Sequence, residues 1–250
     1  MCSIVTWPTR TSRQEVVSVV ICALNEAESI GHVLDSLPED VDEVILVDGA
    51  STDGTIDVAL GHRPDLRVVC QKRLGKGAAL TSGFAAASGD IIITLDGDGS
   101  ADASEIPRFI ETLRNGADLA KGSRFIDGGG SDDFTPVRRL GNRALCTVTN
   151  LLYGTRYSDL CYGFNAIWSR SLGAVAIDCS GFEVETLLSI RAAKSGLKVV
   201  EVPSYELPRI GGKSKLSPVR DGWRILRVIL AERVARPNGV AQTNGRALPR

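Results

Sequence analysis

The sequence predicts an α/β protein in which a mostly parallel sheet is flanked by helices on both faces. Between residues 16 and 96, apolar runs of strand length alternate four times with helical segments, which is typical of βα units. The runs at 16–24 and 91–95 are apolar at nearly every position, as expected of strands buried on both sides. Because no internal repeat or second apolar core interrupts this pattern, we predict one domain.

The elements follow from these runs and from the turn and cap residues between them. Strands are predicted at residues 16–24, 41–47, 66–71, 90–96, 117–122, in a short segment ending at Trp168, and at 198–202. Helices are predicted at residues 30–37, 55–60, 78–87, 106–113, 137–153, 182–194 and 218–234. Asn25 is the expected N-cap of the first helix, with Glu28 three positions later. The domain then covers residues 16–236, between a flexible tail at 1–15 and a disordered tail at 237–250.

Composition argues against several classes of function. A net charge of −1 gives no electrostatic basis for nucleic-acid binding, and 5% aromatic residues argue against a base-stacking surface. Six cysteines without a Cys-x-x-Cys pair fit neither a zinc site nor a disulfide framework. Cys22 and Cys70 lie in apolar strand runs, where we expect buried, reduced thiols. We therefore expect a cytoplasmic protein that is soluble or lies at the inner face of a membrane.

An Asp-Gly-Asp sequence directly follows the apolar run at 91–95. Aspartate is depleted in strands and is rarely buried without a partner, and open α/β sheets bind ligands at the carboxyl ends of their strands. Asp96 and Asp98 are therefore expected to hold a divalent metal ion and, through it, a diphosphate. A surface turn is the alternative that these two residues alone leave open.

Two other predicted strands end in similar residues. Asn25 and Glu26 follow the first strand, and Asp48 begins an acidic, glycine-containing loop after the second. Because of the handedness and connectivity of such sheets, these loops gather on one edge. Together with Lys76, which lies between two glycines, they favour a nucleotide site that handles phosphate and metal.

Two segments each allow two interpretations. Residues 127–133 contain three consecutive glycines beside aspartates and are predicted to form a mobile lid, or else a linker.

Between residues 203 and 236, eight Arg and Lys residues stand against three acids. Four apolar residues of the 218–234 helix are predicted to share one face: Trp223, Leu226, Ile229 and Leu230. This helix is expected either to lie on an anionic membrane surface or to pack on the core with a solvated basic face.

Seven segments, in this order and spacing, resemble family 2 glycosyltransferases of the GT-A (Rossmann-like) fold. The first four are VVICALNEAESI, ILVDGASTDGT, LGKGAALTSGF and ITLDGDGS, and the last three are GSRF, SDLCYGFNAIW and RIGGKSKL. The last three look like the polyprenyl-phosphate branch, typified by dolichol-phosphate mannose synthase. The resemblance covers about residues 16–230 and implies a metal-dependent hexosyltransferase.

On the donor side, the resemblance implies a nucleotide sugar bound together with Mg²⁺ or Mn²⁺. The residues it assigns to donor binding are Ala23, Asn25 and Glu26 (base and ribose), Asp48 (base or ribose), Asp53 (support of that loop), Lys76 and Asp96. Asp96 and Asp98 would form the metal motif, with Asp98 the more direct ligand. Hard oxygen ligands beside a diphosphate suit either ion.

On the acceptor side, the resemblance implies a polyprenyl phosphate. Such a group carries roughly −1.5 to −2 charges at neutral pH, so it is already nucleophilic and needs cations to position it. The residues assigned to its phosphate are Arg124, Arg209, either Arg138 or Arg139 as a third arginine, Ser214 and Lys215. Asp159 would act near the reacting centre as a base or an orienting group, and with Arg124 and Arg209 it forms the implied catalytic group.

One position departs from the family pattern. Close relatives of dolichol-phosphate mannose synthase carry glutamine two positions after the second metal aspartate, where this sequence has Ser100. The third protein ligand of the metal is therefore left open.

Three functions follow from these residues. The first is inverting transfer of a sugar from GDP-mannose or a UDP-hexose to a polyprenyl phosphate. The second uses a soluble hydroxyl acceptor and requires a strong base, for which Asp159, Glu183 and Glu185 are available. The third is a non-catalytic module that binds nucleotide sugars, and the intact Asp96 and Asp98 pair argues against it.

Overall fold

A computed structural model describes residues 15–71, 73–211 and 217–235 of the chain. Its strands are β1 (Val17–Ala23), β2 (Glu43–Asp48), β3 (Arg67–Cys70), β4 (Ile91–Asp96), β5 (Leu119–Ser123), β6 (Gly130–Ser131), β7 (Asn165–Trp168), β8 (Val199–Pro203) and β9 (Tyr205–Glu206). Within the described residues, seven strands form one sheet in the order β3-β2-β1-β4-β7-β5-β8. Only β7 pairs antiparallel with its neighbours in this sheet, so the predicted mostly parallel sheet is confirmed.

Helices cover both faces of the sheet, as predicted. They are α1 (Ile30–Asp35), α2 (Thr55–His62), α3 (Lys76–Ala86), α4 (Ile106–Arg114), α5 (Pro136–Tyr153), α6 (Val184–Lys194) and α7 (Pro218–Val234). One apolar core joins the sheet to α1, α2 and α4, and another joins it to α3 and α6. Val19 and Ile21 enter the first core while Val20 enters the second, which explains why β1 is apolar at consecutive positions.

The carboxyl ends of β1, β2 and β4 lie side by side. In the parallel register Ala23 pairs with Asp48, and Cys22 pairs with Asp96. The loops that follow these three strands therefore share one edge of the sheet, as the connectivity of the chain predicts.

The first helix has a different N-cap from the one predicted. α1 begins at Ile30 with Ser29 at its N-cap position. Asn25 instead adopts the left-handed conformation, with φ of 55°, and its Oδ1 accepts a hydrogen bond from the backbone N–H of Thr52 at 2.8 Å. Asparagine tolerates this conformation better than most residues. Asn25 therefore joins two strand-end loops, and the prediction that it caps a helix is wrong.

The cysteine prediction is wrong at one position. Cys70 is exposed because it ends β3, an edge strand with a neighbour on one side only. Cys22, in the interior strand β1, is half-buried. The five cysteines among the described residues all carry free thiols.

The terminal helix α7 packs on the protein core, as one of the two interpretations predicts, and its binding to a membrane stays a prediction. Ile225 and Ile229 are buried against Ile190 of α6 and apolar residues of α5. Ile229 therefore does not share a face with the exposed Trp223 and Leu230, and the predicted common face is wrong at this residue. The outer side keeps an exposed apolar stripe at helical spacing, formed by Val219, Trp223, Leu230 and Val234. Across the described part of the chain, every helix is too short or too polar to cross a membrane.

Part of the glycine-rich stretch at 127–133 forms the strand β6, which pairs in parallel with β9. Ser131 Oγ donates a hydrogen bond to the Glu206 carboxylate, and Tyr205 Oη donates to Asp132 Oδ1 at 2.8 Å. The stretch is thereby attached to β9 at the rim of the sheet. Its movement as a lid stays a prediction.

Candidate active site

A cleft of about 390 Å³ opens at the carboxyl edge of the sheet. Its walls come from the loops after β1, β2 and β4, from the start of α3, and from residues of α6 and α7. The predicted site residues that line it are Ala23, Glu26, Lys76, Asp96, Asp98, Arg124, Arg138 and Arg209. The described site residues that lie outside its walls are Asn25, Asp48, Asp53, Arg139 and Asp159.

Lys76 lies between two carboxylates in this cleft. Its Nζ is 2.8 Å from Asp96 Oδ2 and 2.6 Å from Glu185 Oε1. Burial alone would lower the pKa of Lys76, but the two carboxylates outweigh it and raise that pKa. Burial also raises the pKa of Glu185, although Lys76 counteracts this effect. The protonated amine of Lys76 thus forms ion pairs with both carboxylates, and Glu185 is the more buried of the two.

Two glycines allow this arrangement. A Cβ on Gly163 would lie 2.6 Å from both Asp96 Oδ2 and Lys76 Nζ. Gly75, with φ of 110°, has no room for a Cβ because the carbonyl oxygen of Ser180 lies against it. Gly77 donates its backbone N–H to the same carbonyl oxygen at 3.0 Å. A Cβ on Gly77 would lie 2.5 Å from the carbonyl oxygen of Cys179. The glycines beside Lys76 are therefore explained by packing of the chain against Cys179 and Ser180.

Asp98 is held from two sides. Its Oδ1 accepts hydrogen bonds from the backbone N–H of Ser100 at 3.0 Å and from the Ser100 hydroxyl at 2.8 Å. Its Oδ2 lies 2.6 Å from Arg209 Nη2, and Arg209 Nη1 donates to Glu26 Oε1 at 3.0 Å. Ser100 therefore orients Asp98, and Arg209 joins the loops after β1 and β4.

The two strand-end carboxylates fit a divalent metal ion. Asp96 and Asp98 both line the cleft, and carboxylate oxygens are ligands that Mg²⁺ and Mn²⁺ prefer. No group of three or more His, Cys, Asp or Glu among the described residues is arranged to hold a metal. Further ligands would therefore come from a bound diphosphate and water, as is usual for Mg²⁺.

Asp48 and Asp53 shape the loops behind the cleft. Asp48 is buried, and its Oδ2 accepts two backbone N–H groups of its own turn at 2.9 and 3.0 Å. Its Oδ1 is buried with no hydrogen-bond partner in the described structure. Asp53 accepts the N–H of Ala27 at 3.0 Å. Burial would raise the pKa of Asp53, but hydrogen bonds from Thr55 and the backbone lower it, which suits the supporting role that the resemblance implies.

Arg124 is enclosed by two acids and two aromatic rings. Its Nε and Nη2 donate to Asp159 at 2.7 and 3.0 Å, and its Nη1 donates to Glu206 at 3.0 Å. The guanidinium carbon lies 4.4 Å from the ring centroid of Phe134 and 4.6 Å from that of Tyr162. These contacts fix one cation in the wall of the cleft.

Asp159 is fully buried behind Arg124 and does not line the cleft. Burial would raise the pKa of Asp159, but Arg124 outweighs it and holds that pKa below its usual range. Both carboxylate oxygens accept from Arg124, and Oδ1 also accepts the N–H of Cys161 at 3.1 Å. Of its two predicted roles, base and orienting group, the geometry favours the orienting one.

The structure separates Arg138 from Arg139. Arg138 lines the cleft, where its Nη1 lies 2.6 Å from Asp133 Oδ2. Arg139 is exposed outside the walls of the cleft, because consecutive residues of a helix point about 100° apart. Of the two predicted candidates, Arg138 is therefore the one in the cleft wall, and its contact with an acceptor phosphate stays a prediction. Ser214 and Lys215 lie outside the described residues.

Three contacts of this site are not predicted from the sequence. Two of them are the ion pairs of Glu185 with Lys76 and of Glu206 with Arg124. The third is the close approach of Lys76 and Asp96 to Gly163, which has no Cβ to block them. One signal pointed to the first of them, since Glu185 lies inside the mostly apolar run at 182–190. Charged residues in such a run are rarely buried without a partner.

Comparison with known proteins identifies the chain. The model of the family described as Glycosyl transferase family 2 matches residues 18–174. This chain belongs to glycosyl transferase family 2. The matched segment of this glycosyltransferase includes Lys76, Asp96, Asp98, Arg124 and Asp159, whereas Glu185, Glu206 and Arg209 lie beyond it.

Two relatives and one solved structure are similar over most of this glycosyltransferase. Glycosyltransferase AglJ of Haloferax volcanii is 31% identical over 211 residues, which is 83% of this chain and 69% of that protein. Undecaprenyl-phosphate mannosyltransferase of Micrococcus luteus is 31% identical over 215 residues, or 80% and 87% of the two chains. The solved structure is glucosyl-3-phosphoglycerate synthase of Mycobacterium tuberculosis in complex with Mn²⁺, UDP-glucose and phosphoglyceric acid. It superposes on this chain with a TM-score of 0.71 at 26% sequence identity. The match covers 90% of this chain and 82% of that one. The predicted GT-A fold and hexosyltransferase class are confirmed.

Proposed function

We propose that this glycosyltransferase moves a hexose from a nucleotide sugar to a polyprenyl phosphate, with inversion at the anomeric carbon. The donor is GDP-mannose or a UDP-hexose, bound with Mg²⁺ or Mn²⁺. One observation carries the choice of acceptor. Each carboxylate in the wall of the described cleft already has a cationic partner.

Seven carboxylates line the described cleft, and each lies 2.6–3.6 Å from a Lys or Arg nitrogen. The pairs are Glu26 and Asp98 with Arg209, Asp96 and Glu185 with Lys76, Asp133 with Arg138, Glu206 with Arg124, and Asp221 with Arg220. A hydroxyl acceptor requires a base that is available to take its proton. A phosphate acceptor is already deprotonated in water and requires cations. A cleft whose carboxylates are all paired and whose walls contain several arginines therefore favours a phosphate acceptor over a hydroxyl acceptor.

The donor half rests on Asp96, Asp98 and Lys76. A metal ion held by the two aspartates would neutralise charge on the leaving nucleoside diphosphate, and Lys76 adds a fixed positive charge beside them. Asp48 supports a base or ribose site in the neighbouring loop indirectly, because its Oδ2 accepts two backbone N–H groups of that loop. The solved relative with Mn²⁺ and UDP-glucose supports the same donor class.

In the proposed reaction, an acceptor phosphate oxygen attacks the anomeric carbon while the bond from that carbon to the donor diphosphate breaks. Attack from the face opposite the leaving group inverts the configuration. A dianionic phosphate has no proton to lose, so no general base acts. Arg138 and Arg209 support the binding of this phosphate because their side chains are 24% and 25% exposed and line the cleft.

Transfer of a labelled sugar to undecaprenyl phosphate tests the proposal. Candidate donors are first ranked by thermal shift with Mn²⁺, since the tightest ligand raises Tm most. The expected result is metal-dependent lipid product, formed at a rate that rises through about pH 6 as the acceptor loses its second proton. If the donors that raise Tm support turnover only with hydroxyl acceptors, the acceptor assignment is wrong.

A hydroxyl acceptor is the second candidate, and Glu185 is the observation that favours it. Burial raises the pKa of this cleft carboxyl, which moves it toward the range that suits a general base. Against this, Lys76 Nζ lies 2.6 Å away. Under this second function, Glu185→Gln should lower transfer to a hydroxyl by about 100-fold or more, and the residual rate should lack the acidic limb of the wild-type pH–rate profile. A phosphate acceptor would keep its own ionisation near pH 6 in that variant.

The proposed function includes peripheral binding of the enzyme to the inner face of an anionic membrane. On α7, the exposed side chains of Val219, Trp223 and Leu230 are interspersed with those of Arg220 and Arg227. A helix of this composition binds an interface by burying apolar side chains while its arginines attract anionic lipid.

A further inference from the structure

A buried carboxylate lies behind the cleft, and the chemistry described above does not use it. Glu105 stands at the N-cap position of α4, but its side chain does not cap that helix, and the residue is buried. Its ion-pair partner, Arg108, has a half-exposed side chain, and Arg108 Nη1 lies 4.0 Å from Glu105 Oε1. Burial raises the pKa of Glu105, because a cation at this distance compensates little for the loss of water. Stability alone therefore does not account for an acid at this position.

Glu105 is joined to Arg124 by two hydroxyl groups and one aromatic ring. The Ser204 hydroxyl donates to Glu105 Oε2, and Glu105 Oε1 accepts the N–H of Tyr205 at 3.2 Å. The hydroxyl oxygens of Ser204 and Tyr162 lie 3.1 Å apart. The ring centroid of Tyr162 in turn lies 4.6 Å from the guanidinium carbon of Arg124. Glu105 does not line the cleft, whereas Tyr162 and Arg124 do, so this chain of contacts ends in the cleft wall.

The two hydroxyl groups in this chain are held in place by the backbone around them. Ser204 is fully buried, donates its N–H to the Ser123 carbonyl oxygen at 3.0 Å and accepts the N–H of Gly130 at 3.2 Å. The ring of Tyr162 fills the space that Gly122 leaves, since a Cβ there would lie 2.8 Å from Tyr162 Cδ1. The two hydroxyls therefore keep their separation, and a change at Glu105 reaches Tyr162 through the directions of the hydrogen bonds.

The negative charge of Glu105 sets those directions. Because a serine hydroxyl has one proton and Ser204 donates it to Glu105, the Tyr162 hydroxyl donates its own proton to Ser204 Oγ. Burial raises the pKa of Tyr162, and the Glu105 charge adds to this effect, so Tyr162 keeps that proton. Hydrogen bonds in a chain polarise one another, and a phenol that donates toward an anion gains electron density in its ring. Such a ring attracts the Arg124 guanidinium more strongly.

We propose that Glu105 is a positioning residue that, through Ser204 and Tyr162, holds the Arg124 guanidinium in place for the acceptor phosphate. This inference rests on the proposed function and deepens it, because it adds to the phosphate site a residue outside the cleft. Asp159 and Glu206 accept hydrogen bonds from the edge of the guanidinium, whereas Tyr162 covers one face. When a phosphate displaces Glu206 from that edge, the ring keeps the cation in position.

Glu105→Gln tests this proposal because it removes the charge and keeps the size of the side chain. Since the Tyr205 N–H requires the amide oxygen as its acceptor, the amide nitrogen faces Ser204 and donates to it. The Ser204 proton then turns to Tyr162, and the chain is reversed. Transfer by the full chain is measured with Mn²⁺, the nucleotide sugar that raises Tm most, and geranylgeranyl phosphate as a short prenyl acceptor. The KM for this acceptor should rise about threefold to fivefold, as for a weakened cation–π contact, with the KM for the donor unchanged.

Tyr162→Phe is the second variant, because it keeps the ring and removes the hydroxyl. It should raise the KM for geranylgeranyl phosphate by a similar factor. Since Glu105 and Tyr162 act through one chain, the variant with both changes should be no worse than either single variant. Factors that multiply in the double variant would mean two independent defects and would overturn the proposal.

Glu43→Gln is the matched control. Glu43 also accepts from a buried serine hydroxyl, that of Ser18, and from a backbone N–H, that of Ser88. It begins β2, at the edge of the sheet opposite the cleft. This control should keep the wild-type KM for both substrates.

The Arg124 Nε–H gives a readout that needs no substrate. It donates to Asp159 Oδ2 at 2.7 Å, and its NMR signal is identified by its loss in Arg124→Lys. Glu105→Gln should shift this signal and speed its exchange with water, because the ring of Tyr162 holds the guanidinium less firmly. Glu43→Gln should do neither.

Other outcomes would overturn the proposal in distinguishable ways. A wild-type acceptor KM in both Glu105→Gln and Tyr162→Phe would remove the positioning role and leave polyprenyl transfer standing. Equal rises in the KM for donor and acceptor would assign Glu105 to the general structure of the cleft and would also remove that role. If wild type transfers sugar to no prenyl phosphate, the proposed function is wrong, and the positioning of Arg124 then stands only if its NMR signal changes in Glu105→Gln.

Discussion

Lys76 and Asp96 meet beside a residue that has no side chain. A Cβ at position 163 would overlap both the ammonium and the carboxylate, at 2.6 Å from each. Both groups are ends of flexible side chains, so Gly163→Ala should fold with nearly unchanged Tm while separating them. We expect sugar transfer to fall by about tenfold or more and the donor-induced thermal shift with Mn²⁺ to shrink.

Gly173→Ala is the control for this change, since a Cβ there meets nothing within 4 Å. It should retain wild-type transfer. Wild-type activity in Gly163→Ala as well would show that the contact between Lys76 and Asp96 is not needed.

Asp159 links the stability of the protein to pH. Because Arg124 lowers its pKa, the folded state binds this proton more weakly than the unfolded state, whose pKa is about 3.9. The resulting stabilisation is complete above that value and is lost as pH falls through the lower folded-state pKa. Asp159→Asn should lower the free energy of unfolding at neutral pH by about 3 kcal/mol. Urea unfolding across acidic pH should show a weaker pH dependence than in wild type.

An exposed ion pair provides the comparison for Asp159. Arg63 Nε lies 3.4 Å from Asp65 Oδ1, and the Asp65 side chain is 74% exposed. Asp65→Asn should cost less than about 1 kcal/mol. Equal losses in the two variants would mean that burial of the Arg124–Asp159 pair contributes nothing.

At the scale of elements, α5 presents two neighbouring arginines to different surroundings. Arg138 lines the cleft, whereas Arg139 is exposed outside it. Arg138→Ala should raise the KM for a prenyl phosphate by about tenfold, as for a lost charge-assisted hydrogen bond, and should leave metal-dependent hydrolysis of the donor closer to wild type. Initial rates at varied acceptor concentration measure this effect.

Arg139→Ala removes the same charge one residue later and should behave as wild type. If the two variants lose affinity equally, the arginines act through the general charge of the helix. The phosphate would then have no specific contact with Arg138.

The elements and the location of the site could be predicted because their causes are local. Apolar runs such as β1 supply both cores, and parallel connectivity alone brings Asp48 and Asp96 to one edge. The ion pairs could not be predicted, because Arg124 and Glu206 are 82 residues apart in sequence and meet only through the folded sheet. Asn25 was misassigned for the same reason, since its partner lies in another loop.

At the scale of the whole molecule, the proposed binding to a membrane would have to depend on a local charged surface. The chain has a net charge of −1, so only a clustered surface such as the outer side of α7 can favour anionic lipid. We expect the protein to float with phosphatidylglycerol vesicles and not with phosphatidylcholine vesicles, and added salt should weaken the binding. Trp223→Ala should reduce the bound fraction, as measured by flotation.

Leu60→Ala, which removes an exposed apolar residue from α2, should leave that fraction unchanged. Equal flotation with neutral and anionic vesicles would contradict the charge-based part of this prediction. Failure to bind either kind would contradict the whole of it.

Glu206 connects the cleft to the glycine-rich stretch through a single carboxylate. Its Oε1 accepts from Arg124 at 3.0 Å, its Oε2 accepts from Ser131 Oγ, and its backbone oxygen accepts the N–H of Asp132 at 3.0 Å. An anion that binds Arg124 competes with Glu206 for the guanidinium. By thermodynamic reciprocity, the affinity for that anion and the order of β6 then change together. If adding geranylgeranyl phosphate speeds amide hydrogen exchange at Asp132, residues 130–132 become less ordered when the cleft is occupied. An unchanged exchange rate would show that occupancy of the cleft and the order of β6 are independent.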